Sequence, residues 1–217
     1  LYACHARYNA PGITMLLIST CIYLFGIAAN VYTIISYSMF FSLVGMTLYL
    51  FGVQGVRILT TQLILFLLLI PVTDQLYIKI TFPLQIKVSQ ISEILVRSAG
   101  IPIFRDGNVM NTATKSFEVV EACSGLRSII TLATLSLIMG YFFLQRTLTK
   151  ITLLLASVPT AIFTNVIRVV SLILLYHFAG IDATEGSSHT VLGLIVFLCG
   201  FGILFLLQGI LIKWETK

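Results

Sequence analysis

The sequence predicts an all-α polytopic membrane protein, and three observations carry that expectation. Of its 217 residues, 58% are hydrophobic and 10% charged, where a soluble domain carries roughly 25% charged residues. Mean hydropathy is +1.03, so the chain could not cover its own surface with polar groups in water, and lipid is the expected solvent. The apolar residues also fall into runs close to the ~20 residues that a spanning helix needs. The net charge of +5 does not point to nucleic acid, because the basic residues are scattered without a run or aromatic interleaving.

Six segments read as spans: residues 13–29, 31–51, 58–78, 126–144, 151–178 and 189–212, within a single membrane-embedded domain covering 1–217. Asn30 leaves only a tight turn between the first two, which predicts an antiparallel hairpin. Pro159 predicts a kink in the fifth, the longest. The chain begins at Leu1 without an initiator Met, and 1–12 does not read as a signal peptide, so an upstream segment or a fragment is expected.

Orientation follows from Lys and Arg in short loops. The 145–150 loop carries Arg146 and Lys150, the tail Lys213 and Lys217, and the second short loop Arg57. Across the membrane, 179–188 has no basic residue but has Asp182 and Glu185. These agree if 145–150, the tail and Arg57 are cytoplasmic. Segment 79–125 is then external, although Lys79, Lys87, Arg97, Arg105 and Lys115 run against the raw count. Within it, Pro83 and Gly100 bracket an amphipathic helix with Leu84, Val88, Ile91 and Leu95 on its apolar face, lying in the membrane interface. Residues 101–104 and 108–110 flank Asp106-Gly107 as a short β-hairpin, and 117–120 suits a further strand.

Ionisable groups inside spans are costly and tend to be functional. Arg168 lies about ten residues before the external end of the fifth span, roughly 15 Å deep on a straight helix. Asn165, three residues earlier, shares its face. Cys123 and His189 stand at the heads of the fourth and sixth spans on the same side. A thiol, a guanidinium and an imidazole thus come from three helices to one leaflet. Ser124-Gly125 after Cys123 suits the N-terminus of a helix, whose amides favour a thiolate and could hold an oxyanion. Arg168 stays protonated and could stabilise charge on a carbonyl oxygen, and His189 could move protons to a leaving amine. The parts suit acyl transfer.

Blander readings compete. Cys21 and Cys199, both within spans, read as small packing residues, and Cys4 as incidental in the terminus. No cysteine pair has a metal-ligand or CxxC spacing, so neither a metal, a cofactor nor a disulfide framework is expected. His177 rivals His189 on position, with an interfacial anchor as its other reading. Gly193 and Gly200 suit close helix packing. Asp74, Gln75 and Pro71 suit a fraying helix end. Glu121 either orients a basic neighbour or faces water.

The run Glu121-Ala122-Cys123-Ser124-Gly125-Leu126-Arg127-Ser128 resembles the cysteine motif of the exosortase/archaeosortase family. Asn165-Val166-Ile167-Arg168 and His189 follow in the matching order, one span apart, and the likeness extends over about 45–214. The resemblance implies a multi-pass cysteine protease/transpeptidase with Cys123 as nucleophile, Arg168 as oxyanion or substrate-positioning group, and His189 as acid/base. This tips the choice away from His177. Glu121, Ser124, Gly125 and Asn165 are the supporting residues. The implied substrates are membrane-anchored proteins bearing a C-terminal sorting signal: a short motif such as Pro-Glu-Pro, a hydrophobic helix and a basic cluster. They would be cut through a thioester and passed to an acceptor, an extracellular polysaccharide or lipid, at the outer face of a bacterial inner membrane. Two other classes compete. A transporter or channel subunit would use Arg168 as an anion site, and a membrane acyltransferase would carry a lipid adduct on Cys123.

Overall fold

The computed structural model describes residues 10–70, 74–118, 126–184 and 186–216. It falls into two compact units, Leu1–Asp74 and Gln75–Lys217. Among the described residues the chain forms seven helices and three short strands.

In the first unit, α1 (Ala10–Ala28) and α2 (Tyr32–Ile58) form the hairpin expected around Asn30. Asn30 takes the left-handed φ of 54° that the reversal requires, a conformation asparagine tolerates better than most residues. The two helices meet closely: a Cβ on Gly12 would lie 2.6 Å from the Tyr49 backbone nitrogen. Small residues allow such approach where lipid supplies no hydrophobic drive.

The expected third span, 58–78, is not one helix. Helix α2 runs on through Arg57 and Ile58, α3 (Thr60–Leu69) has ten residues, and a new helix begins at Asp74. Ile70 turns extended, with φ −72° and ψ 123°, because the ring of a following proline (Pro71) crowds a helical conformation at the residue before it. Among the described residues, four helices are long and apolar enough to cross a membrane, where six spans were expected.

The second unit holds α4 (Asp74–Ser98), β1 (Phe104–Asp106), β2 (Val109–Asn111), β3 (Ser116–Glu118), α5 (Leu126–Phe143), α6 (Thr147–Ala179) and α7 (Gly186–Glu215). The strands form an antiparallel sheet in the order β1-β2-β3. The first turn is Gly107-Asn108, one residue later than expected, with Gly107 at φ 62°. Glycine in the first place is what such a two-residue hairpin turn favours.

Helix α4 extends the expected helix back to Asp74, and of the expected interfacial stripe Ile91 and Leu95 are exposed, Leu84 is half-buried and Val88 is buried. Thr81, Gln85, Val88, Ser89, Ser92 and Val96 are buried, while Ile91, Ile94 and Leu95 are exposed. The Ser89 hydroxyl lies 3.1 Å from the Gly107 carbonyl of the hairpin turn. Where the outside is lipid or interface, bulky apolar groups turn outward and small polar ones pack inward. Val88, Val96, Ile103, Met110 and Phe117 then share one core with Val166, Val169 and Ile173 of α6. The sheet is therefore seated on the half of α6 that carries Arg168.

A second core, around Leu132, Leu153, Ala161 and Leu204, joins α5, α6 and α7. Pro159 does not divide α6, which is helical throughout its 33 residues. Gly180 at φ 64° caps its far end. At the near end, the Glu215 carboxylate accepts from the Arg146 N–H (2.9 Å), the Gln145 N–H (2.9 Å) and the Thr149 hydroxyl. The two amides stand where the start of a helix leaves backbone donors without an intrahelical acceptor.

Candidate active site

Helix α6 supplies Asn165 and Arg168, and α7 supplies His189 and Gly193 one turn apart. Nη2 of Arg168 lies 2.7 Å from Nε2 of His189. Gly193 makes room for the guanidinium, since a Cβ there would stand 3.2 Å from Nη2. A Cβ on Gly200, two turns on, would stand 3.1 Å from the Thr164 side chain and 3.3 Å from that of Leu132. The two glycines do serve close approach, but the neighbour at Gly193 is a charged side chain rather than an apolar helix face.

The other ring nitrogen fixes the tautomer. Nδ1 of His189 lies 3.1 Å from the carbonyl oxygen of Ala183. A carbonyl can only accept, so Nδ1 carries the proton and the Nε2 lone pair receives the Arg168 N–H. Ala183 is buried (2% exposed), and the turn around it is held from both sides. Oδ1 of Asp182 accepts from the Thr184 N–H (3.1 Å) and its hydroxyl (2.6 Å). The Lys115 ammonium, just before β3, donates to Asp182 Oδ2 and to Thr184 Oγ1, the latter at 3.1 Å. It also sits 5.6 and 5.4 Å from the ring centres of Phe117 and Tyr176, within cation–π range. Hydrogen bonding from Lys115, then from Thr184, draws the Asp182 carboxyl down to about 2.

A small cavity of about 20 Å³ borders Ser128, Thr164, Asn165, Arg168 and Gly193. That is room for about one water. Asn165 is buried (3% exposed) beside it. Ser128 belongs to the first turn of α5, so the helix entered from the cysteine motif opens against Arg168. On the sheet side, a cleft of about 910 Å³ runs between 100–104 and 111–113, with Arg97, Pro102, Phe104 and Thr112 on its walls.

Among the residues singled out in the sequence, the structure thus joins Arg168, His189 and Asn165. Cys123, Glu121, Ser124 and Gly125 lie outside the described residues, as does Cys4. His177 is exposed at the end of α6, its ring 5.0 Å from that of Phe178 in an edge-on pair. Cys21 and Cys199 are exposed rather than packed. Sequence reading missed Ala183 and Thr184 and saw in Lys115 and Asp182 only loop charges. The Asp182-Ala183-Thr184 pattern, a common turn former shortly before a histidine, was the available signal.

In comparison with known protein families, the family described as Transmembrane exosortase matches residues 2–206. No curated protein and no solved structure matches the chain.

Proposed function

The chain belongs to the transmembrane exosortase family, and from that premise we propose that it is a cysteine transpeptidase which cuts and transfers membrane-anchored proteins at the outer face of the membrane. The family supports a membrane transpeptidase-like role, and four helices suited to spanning make the chain multi-pass. The observation that carries the site assignment is the 2.7 Å contact between Arg168 and His189, from different helices, inside a largely apolar bundle.

In this reading Cys123 is the nucleophile. Its thiolate attacks the carbonyl carbon of the scissile peptide bond, and the carbonyl oxygen becomes an oxyanion. Arg168 stabilises that charge, as a fixed cation in a low-dielectric site does well. The carbon–nitrogen bond then breaks, and the amine leaves with the proton that Nε2 of His189 has taken from the thiol. An acceptor amine or hydroxyl then attacks the thioester and gives its proton to Nε2 of His189, the carbon–sulfur bond breaks, and Cys123 leaves as the thiolate beside the protonated imidazole.

The observed contact constrains the order. While Arg168 donates into Nε2, that lone pair cannot take a proton. Arg168 must turn to the substrate oxygen before His189 becomes a base, so substrate arrival arms the site. Asn165 supports Arg168, and Glu121, Ser124 and Gly125 shape the approach to Cys123. The cleft at 100–104 and 111–113 is sized to seat an extended stretch of substrate. Loop charge favours an orientation with this site outside; the family resemblance is what suggests a bacterial inner membrane and a C-terminal sorting signal as the recognised element. The acceptor is an extracellular polysaccharide or lipid.

The test is co-expression with a membrane-anchored protein carrying a Pro-Glu-Pro signal. The mass shift of processing should occur with the intact chain and vanish with Cys123→Ala and with Arg168→Ala. Processing that survives both changes would overturn the assignment. A membrane-impermeant thiol reagent added from outside should label Cys123.

A further inference from the structure

We infer that Lys115 is a positioning residue for His189, acting through the Asp182–Thr184 turn to hold the imidazole as its Nδ1–H tautomer. This deepens the reading above and rests on it for the claim that the imidazole does chemistry.

The connection runs through named atoms. The Lys115 ammonium reaches from the segment before β3 to Oδ2 of Asp182 and Oγ1 of Thr184. Oδ1 of Asp182 closes the turn by accepting from the Thr184 N–H and hydroxyl. Between these two residues lies the Ala183 peptide, whose carbonyl oxygen accepts from Nδ1 of His189. Ala183 has its methyl in the core shared by the sheet and α6, so the peptide is fixed by packing on one side and by charge on the other. Rotating that carbonyl away would remove the reason for the proton to sit on Nδ1.

The lysine is itself held in place. Phe117 and Tyr176 pack edge to face with centroids 5.4 Å apart, and both rings lie beneath the ammonium. Thr112 at the end of β2 ties back to the Lys115 backbone through its N–H to the Lys115 carbonyl (2.9 Å) and through its own hydroxyl. An ammonium over two aromatic faces, bonded to a carboxylate and a hydroxyl, has few other places to go. The consequence concerns Nε2. With the proton on Nδ1, the lone pair faces Arg168 and, once Arg168 turns, faces whatever the site must deprotonate. With the proton on Nε2, an N–H would face the guanidinium and no base would be available.

The experiment is nitrogen NMR of ¹⁵N-histidine-labelled full chain in lipid bilayers, with the signals of its three histidines assigned by His189→Gln and His177→Gln. In the wild type the His189 resonance should report a protonated Nδ1. Lys115→Met and Asp182→Asn should each move that population toward the Nε2–H form. In the processing assay both should lower kcat by about tenfold to a hundredfold with KM little changed, and Lys115→Arg should restore part of the Nδ1–H signal and of kcat. An unchanged His189 tautomer in Lys115→Met and Asp182→Asn overturns the inference, whatever happens to processing. Unaltered signals from the other histidines and retained thermal unfolding exclude general misfolding. If Lys115→Met fails to fold, Asp182→Asn and Lys115→Arg decide the inference by the same signal. The tautomer is read without turnover. A shifted tautomer in a chain that shows no processing would therefore leave the positioning intact and count against the enzymatic reading alone.

Discussion

At the Thr147 end of the α6–α7 pair, a carboxylate from the last turn of one helix reaches the start of the other; at the Gly180 end, a carboxylate folds back on its own loop. Glu215 meets backbone amides and a hydroxyl, and the connection stops there. Asp182 meets an ammonium and a turn, and the connection continues through a carbonyl to a ring that can change its proton. Both are acceptors held by several donors. What separates a staple from a positioning device is what lies one bond further on, helix backbone in one case and a titratable side chain in the other.

The largest expected effect breaks the comparison at its reactive end. Arg168→Ala should cut processing by on the order of a hundredfold to a thousandfold, measured as substrate mass shift against time. Arg168→Lys should recover only part, because an ammonium cannot reproduce the guanidinium fork. Gly193→Val should follow. Its Cβ alone would stand 3.2 Å from Nη2, so the guanidinium must move, and a displacement of about 1 Å costs about a hundredfold in rate. Normal thermal unfolding beside that loss would locate the damage at Arg168.

Two further changes sharpen the contrast. Met110→Ala empties a fully buried position in the core between the sheet and α6, at a cost of about 2–4 kcal/mol, read from denaturant unfolding in detergent. Glu215→Gln should lower the unfolding temperature while leaving kcat and the His189 resonance as they were. A changed tautomer in that variant would erase the distinction between the two ends.

The smallest effect is the pH response of Asp182. Its folded pKa is lowered from 3.8 to about 2, so its contribution to stability is fully present above the ordinary carboxylate range and is lost as pH falls through about 2. Unfolding curves of the wild type and Asp182→Asn should keep a constant separation from pH 8 to about pH 5 and converge only at stronger acidity. Convergence already near pH 6 would contradict the ion pair with Lys115.

Much of the helical plan was legible because hydropathy is local. The hairpin at Asn30, the helices around 147–179 and 186–215 and the β-turn near Gly107 can be read without knowing their neighbours. The third span was misread in its continuity: the break at Leu59 comes through backbone conformation with no change in polarity, whereas Pro71, Asp74 and Gln75 were read as a fraying helix end and not as the stop that turns Ile70 extended. The inner face of α4 was out of reach for a different reason. Ile91 and Leu95 of the expected interfacial stripe are exposed, but Val88 turns inward with Thr81, Gln85, Ser89 and Ser92, and what a helix buries depends on what packs there. Ser89 finds the Gly107 carbonyl only once the hairpin is folded over the helix. At the site, Arg168 and Asn165 stood out as polar groups in an apolar run, whereas His189 and His177 were nearly equal on position until the resemblance favoured one.

By itself, the sequence settled that the chain lives in a membrane, where most of its helices run, and which intramembrane polar residues need explaining, because burial cost and helix length follow from residues one after another. Only the tertiary structure decided which nitrogen of His189 holds its proton and why a lysine 74 positions earlier bears on it. Those are set by a carbonyl and a carboxylate of the α6–α7 loop and an ammonium from the turn between β2 and β3, brought together beside the first turns of α7, and no local pattern encodes a meeting of groups so far apart along the chain.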